Sequence, residues 1–99
     1  MEKAKEVKFR KTASDSIAFI SFYIQEKGYP ITAERFADKL YEFGISLALF
    51  TDKYPMCRHQ VLARLNLRCA VFVRSFVFIY KLKNDVVEIY NIVHASTLR

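Results

Sequence analysis

The sequence holds only two glycines, two prolines and no tryptophan in 99 residues. With apolar residues at 53%, so little glycine and proline excludes a disordered or low-complexity chain. No apolar run approaches the length of a bilayer crossing, which excludes a membrane-spanning helix. The start, Met1-Glu2-Lys3-Ala4-Lys5-Glu6, has no apolar stretch behind its lysines, so no signal peptide is expected and the default location is the cytoplasm. Cysteine is scarce too. Cys57 and Cys69 are expected as free thiols, in the core or at the surface, as suits that compartment. A metal site would need Cys57, His59, Cys69 and His94 to converge, and their spacing matches no compact zinc-ligand pair. No metal and no cofactor is expected.

Acidic residues are what the second half lacks. Residues 1–57 carry nine Lys/Arg against eight Asp/Glu, whereas residues 58–99 carry seven against two, so +5 of the formal +6 lies there. Arg58, Arg64, Arg68, Arg74, Lys81 and Lys83 fall within one stretch, and arginine, the type suited to bidentate contact with phosphate or carboxylate, predominates. A solvated strand face would account for these charges. Their asymmetry favours a polyanionic or acidic partner.

The chain is long enough for one domain, residues 1–99, and not for two. Glu6-Val7-Lys8-Phe9 alternates as a short strand. Thr12, Ser14 or Asp15 can cap a first helix, in which Ala13, Ile17, Ile20 and Ile24 form one stripe. Phe19 and Tyr23 form a second, so packing on more than one side is expected, before Gly28 ends the helix. Pro30 or Thr32 starts a second helix, whose face is Ala33, Phe36, Ala37, Leu40, Phe43 and Leu47. It reaches about Phe50, contains Gly44 and is broken by Asp52-Lys53-Tyr54-Pro55. Beyond Pro55 the apolar period shortens to that of strands. Leu67, Cys69, Val71 and Val73 lie on one side of the first, Ser75 to Leu82 reads as a central strand, and Val86 to Val93 returns after a turn at Lys83-Asn84-Asp85. Asn66 and Arg74-Ser75 compete for the first turn. The fold class is α+β: an N-terminal strand, an antiparallel helical hairpin, then a three-stranded antiparallel run in one sheet. The hairpin covers one face, leaving the other to water or a partner.

This order, with Arg74-Ser75-Phe76-Val77-Phe78-Ile79-Tyr80, a short turn, and Val86 to His94, resembles the RelE/ParE toxin family. That family shows a basic residue, an alternating strand ending in Tyr, a turn, and a last strand ending in His. Arg68 and Pro55 also stand where the family often has Arg and Pro. The resemblance implies a single toxin domain of a type II toxin–antitoxin system, of the kind tied to plasmid stabilisation and growth arrest. It implies a cognate acidic antitoxin whose disordered segment folds over the toxin, with a dimer or a heterotetramer as the assemblies to consider. Two target classes follow: ParE-like members poison DNA gyrase, and RelE-like members cleave mRNA on the ribosome.

Ribonuclease chemistry needs a base for the 2′-hydroxyl, a cation for the phosphate and an acid for the leaving oxygen. Arg68 and Arg74 are candidate phosphate ligands, Lys81 another, and His94 the candidate acid/base. Family nucleases commonly place Tyr or another acid/base group near the terminal position; here His94-Ala95-Ser96-Thr97-Leu98-Arg99 has no Tyr after the His. Each residue also has a structural reading. His94 fits a hydrogen-bonded strand end, Tyr80 and Tyr90 fit a core edge, Arg68 fits a pair with Glu88, and Arg99 fits a frayed terminus. The expectation is a ParE-like binding toxin that contacts target or antitoxin through Arg58, Arg64, Arg68, Arg74 and Lys81. The alternatives are a RelE-like nuclease using His94, Arg68 and Arg74, and an inactivated toxin or small nucleic-acid-binding module.

Overall fold

The structure, a computed structural model, describes residues 4, 6–49 and 53–98. In chain order the elements are β1 (Glu6–Phe9), α1 (Lys11–Glu26), α2 (Pro30–Ser46), α3 (Gln60–Arg64), β2 (Arg68–Phe72), β3 (Phe76–Lys83) and β4 (Val86–His94). A 3-10 turn at Ala95–Leu98 follows. The four strands form one sheet in the order β1-β4-β3-β2, with β1 parallel to β4 and the other neighbours antiparallel. This is the expected α+β arrangement.

Strand alternation sends Phe76, Phe78, Tyr80 and Leu82 of β3 toward the helical hairpin, where Ala13, Ile17, Leu40 and Leu47 meet them. Phenylalanine fills this side: Phe43 sits 4.9 Å from both Phe72 and Phe78, and Phe36 sits 5.6 Å from Phe76. Gly44 lets α2 approach the sheet. A Cβ there would lie 2.5 Å from Phe9 Cζ and 2.8 Å from Ile89 Cδ1. Gly28 adopts φ 96° in the link between the helices, as its position predicts.

Several boundaries differ from expectation. The cap of α1 is Arg10 and its side chain makes no capping bond, so Thr12, Ser14 and Asp15 lie inside the helix. The chain enters α1 directly from the sheet, through Arg10 N–H donating to Ile89 C=O. Phe19 and Tyr23 pack on nothing comparable to the main stripe, being 72% and 58% exposed. Helix α2 ends at Ser46 with Leu47 as its cap; Phe50 and Asp52 lie outside the described residues. Both candidate first turns exist: Asn66, at φ 61°, closes the unforeseen α3, and Val73-Arg74, at φ 45° and 67°, joins β2 to β3. Val73 therefore belongs to a turn, and Val71 is exposed.

The outer face of the sheet is partly covered. Cys57, Leu67, Val77 and Ile79 form a second cluster, flanked by Leu62, Cys69, Tyr90, Val93, Ala95 and Leu98. Residues 55–57 run antiparallel to residues 67–69, with Met56 bridged to Arg68, Cys57 N–H donating to Leu67 C=O and Cys69 N–H donating to Pro55 C=O. This pairing brings the two cysteine Cα atoms to 4.9 Å, and they form a disulfide instead of the expected free thiols.

Candidate functional site

The β3–β4 register decides where the candidate residues go. Phe76 faces His94, whereas Tyr80, four residues along β3, faces Arg68 of β2. Four residues of strand span about 13 Å. A register shift between Ile79 and Tyr80 leaves Tyr90 as an extra residue on β4. His94 and Arg74 therefore lie at one end of the sheet, and Arg68 lies toward the other.

His94 is an exposed strand-end residue. Its Nδ1 accepts the Ser96 N–H at 3.2 Å and lies 2.8 Å from Ser96 Oγ, so the neutral ring carries its proton on Nε2. The ring stands edge-on to Phe76, at 5.7 Å, and borders a groove of about 520 Å³ with Ser16, Phe19, Ile20, Tyr23 and Ile92. No carboxylate lines this groove. Beside it, Asn91 Oδ1 accepts the Ser16 hydroxyl at 2.6 Å and the Ile92 N–H at 2.8 Å, tying α1 to β4.

Arg68 is half-buried and its guanidinium donates to the Tyr54 carbonyl. It does not pair with Glu88. That carboxylate accepts from Arg10 at 3.1 Å, and Arg10 also stacks over the Tyr90 ring at 3.8 Å. The hydrogen bond from Arg10 to Glu88 raises the guanidinium pKa from its ordinary value, with smaller favourable effects from the charges of Tyr90 and Glu88. Tyr80 is wholly buried in the hairpin-side core.

The remaining cations divide between surfaces. Arg74 is exposed on the β2–β3 turn. Lys81 alternates onto the outer face with Val77 and Ile79. Arg58 and Arg64 are exposed on the segment that covers this face. Among the described residues the ion pairs are Lys8–Glu6, Arg10–Glu88 and Lys11–Asp15, so Arg58, Arg64, Arg74 and Lys81 make none there, although Lys81 stands opposite Glu88 in the β3–β4 register. No group of three or more His, Cys, Asp or Glu residues converges among the described residues.

Two features escape the charge pattern. Between Tyr54, Pro55, Met56 and His59 on one side and Val71, Val77, Ala95 and Leu98 on the other runs an outer groove of about 500 Å³. The adjoining edge of β2 is open. Cys69 N–H points outward to Pro55, so by alternation the Val71 N–H and C=O point outward as well, beyond the end of that pairing. The other is the outer side of α1, where Phe19, Phe22 and Tyr23 are exposed at three- and four-residue spacing. The stretch Ser16 to Gln25 has no charged residue, and that lack is the signal that could have identified a contact face.

The family model described as the ParE toxin of type II toxin–antitoxin system, parDE, matches residues 7–99. A solved structure titled "Chromosomal ParDE TA system from P. aeruginosa" superposes with a TM-score of 0.73 at 14% identity, covering 90% of this chain and 94% of that one. At that identity the likeness establishes the fold. No curated protein gives a significant sequence match. Among the described residues no helix is long and apolar enough to cross a membrane.

Proposed function

The chain belongs to the ParE toxin family of type II toxin–antitoxin systems, and we propose that it arrests growth by binding its target, DNA gyrase, without chemistry of its own. The observation that carries this reading is the separation of Arg68 from His94, which leaves Arg74 alone of the candidate cations at the histidine's end of the sheet. A phosphate held at His94 lies about 13 Å along the sheet from Arg68, whose guanidinium is already engaged by Tyr54. General acid–base work needs its groups within hydrogen-bond reach of one reacting centre. Binding has no such requirement, and separate basic patches serve it well.

The same reading supplies a cognate acidic antitoxin in the cytoplasm. Its amphipathic segment would lay apolar side chains on Phe19, Phe22 and Tyr23 and extend a strand along the free edge at Val71. Its carboxylates would meet Arg58, Arg64, Arg74 and Lys81. Lys81 and the α3 segment share the outer face, so an acidic strand at the β2 edge passes near both.

The deciding experiment is His94→Gln, which keeps polarity and cannot titrate near neutrality. Growth arrest and gyrase-mediated DNA breakage should persist within a fewfold. A nuclease would lose about 10²–10⁴-fold in rate with its acid/base residue. Codon-dependent mRNA cleavage by the wild type on ribosomes, abolished in a folded His94→Gln protein, would replace the binding reading with the nuclease one.

A further inference from the structure

We propose that the Cys57–Cys69 disulfide is a reversible redox latch that holds residues 56–66 on the outer face of the sheet and thereby forms one wall of the outer groove. The covalent bond matters because the segment has little else to hold it. Helix α3 has five residues and none is buried. Arg58, His59, Gln60, Arg64 and Leu65 are exposed, and only Cys57 and Leu67 are fully buried, with Leu62 partly so. The backbone bonds that dock the segment on β2 number two, Cys57 to Leu67 and Cys69 to Pro55, and both flank the disulfide.

The segment has defined hinges. Tyr54 stays fixed without the disulfide, since its carbonyl accepts from Arg68 and its ring meets Phe43 at 6.1 Å. At the far end, Asn66 makes the left-handed turn into β2. Between these points lie Met56, Arg58 and His59 of the groove wall. Release of the segment removes that wall and frees the Leu67 carbonyl and Cys69 N–H, lengthening the open edge of β2.

The two sulfurs differ in access. Cys57 is 3% exposed, whereas Cys69 is half-buried and lines the groove. A thiolate of a small dithiol therefore attacks Cys69 Sγ from the groove. The Cys57–Cys69 bond breaks and Cys57 leaves as a thiolate, which takes up a proton. The second thiol of the reductant then attacks its own sulfur in the mixed disulfide. Cys69 leaves as a thiolate and is protonated, and the reductant departs as a cyclic disulfide. Two electrons and two protons pass to the protein. Thiol reductants keep the cytoplasm reducing, so a toxin acting there, as proposed above, would meet dithiols able to open the bond.

Trypsin reports on the latch because Arg58 and Arg64 lie on the released segment and Arg35 lies on α2. The oxidised full chain, the same protein reduced with dithiothreitol, and the Cys57→Ser/Cys69→Ser variant would be digested briefly and the sites read by mass spectrometry. Closing a loop of this length restricts opening by about a hundredfold. Cleavage after Arg58 and Arg64 should rise by roughly that factor on reduction, return on reoxidation, and be fast in the double variant with or without dithiothreitol. Cleavage after Arg35 should not change. Equal rates at Arg58 and Arg64 in oxidised and reduced protein would overturn the proposal. So would a parallel rise at Arg35, which would mean that reduction loosens the whole fold.

Discussion

Replacing Gly44 with alanine sets two effects of opposite sign against each other. Glycine inside a helix costs about 1 kcal/mol relative to alanine, so propensity alone favours the substitution. The packing opposes it. The new Cβ would sit 2.5 Å from Phe9 Cζ, 2.9 Å from Phe9 Cε2 and 2.8 Å from Ile89 Cδ1. Ordinary carbon contacts are near 3.5–4.0 Å, so something must move by about 1 Å. Phe9 is braced edge-on by Tyr41 at 4.9 Å, and Ile89 is fully buried. Overpacking of this kind costs about 1–3 kcal/mol. The net expectation for Gly44→Ala is a loss of about 1 kcal/mol, which lowers the melting temperature by about 4–8 °C in a domain of this size. Urea unfolding followed by far-ultraviolet circular dichroism measures it. Phe9→Leu removes the ring tip but leaves Ile89 Cδ1, so in that background Gly44→Ala should cost less than in the wild type, with a coupling of about 1 kcal/mol between the sites. A wild-type background in which alanine stabilises by the full propensity gain of about 1 kcal/mol would refute the close approach of α2 to the sheet.

Two further outcomes can be measured independently. Asn91→Ala leaves the Ser16 hydroxyl and the Ile92 N–H without their partner at a half-buried site and should cost about 1–3 kcal/mol. Ser16→Ala should cost less, about 0.5–1.5 kcal/mol, and a milder Asn91 variant would show that water replaces the amide. Association with the proposed acidic antitoxin should slow by about tenfold or more between low and high salt. Charge removal at Arg58, Arg64 and Lys81 together should flatten that dependence while leaving dissociation nearly unchanged, and salt-independent association would exclude electrostatic steering.

The long elements were legible because periodicity is a direct consequence of one-sided burial. Spacing places Ala13, Ile17, Ala33, Leu40 and Leu47 in the core, and they are buried. Helix α3 left no such signature, since none of its five residues is buried. The β2–β3 turn was obscured because Val73 and Arg74 take the positive φ angles that Asn-Gly usually supplies, and a branched Val there is strained. Phe19 and Tyr23 illustrate a different limit. Helical spacing reports that a stripe is apolar, not whether the surface meant for it lies in the same chain. The disulfide was hidden for a topological reason: Cys57 and Cys69 meet only because the turn at Asn66 returns residues 67–69 alongside residues 55–57. Charge was readable, but convergence was not. Strand alternation sends Lys81 to the outer face, while the register puts Arg68 and His94 at different ends.

The two unsatisfied properties of this surface constrain what can bind it. Phe19, Phe22 and Tyr23 expose apolar rings without a charge among Ser16 to Gln25, which favours association. Arg58, Arg64 and Arg74 form no ion pair among the described residues, and the net +6 opposes association of like copies. A second copy of the chain would cover the rings but double the repulsion. A purely acidic ligand would relieve the charge and leave the rings wet. A segment carrying apolar side chains on one face and carboxylates beyond them satisfies both at once. An extended stretch of it can also pair with the open backbone at Val71. This is the composition expected of the proposed antitoxin, whose contact surface on this chain need not be a single cleft. Under that proposal specificity would be divided among an apolar ridge, a strand edge and dispersed charges.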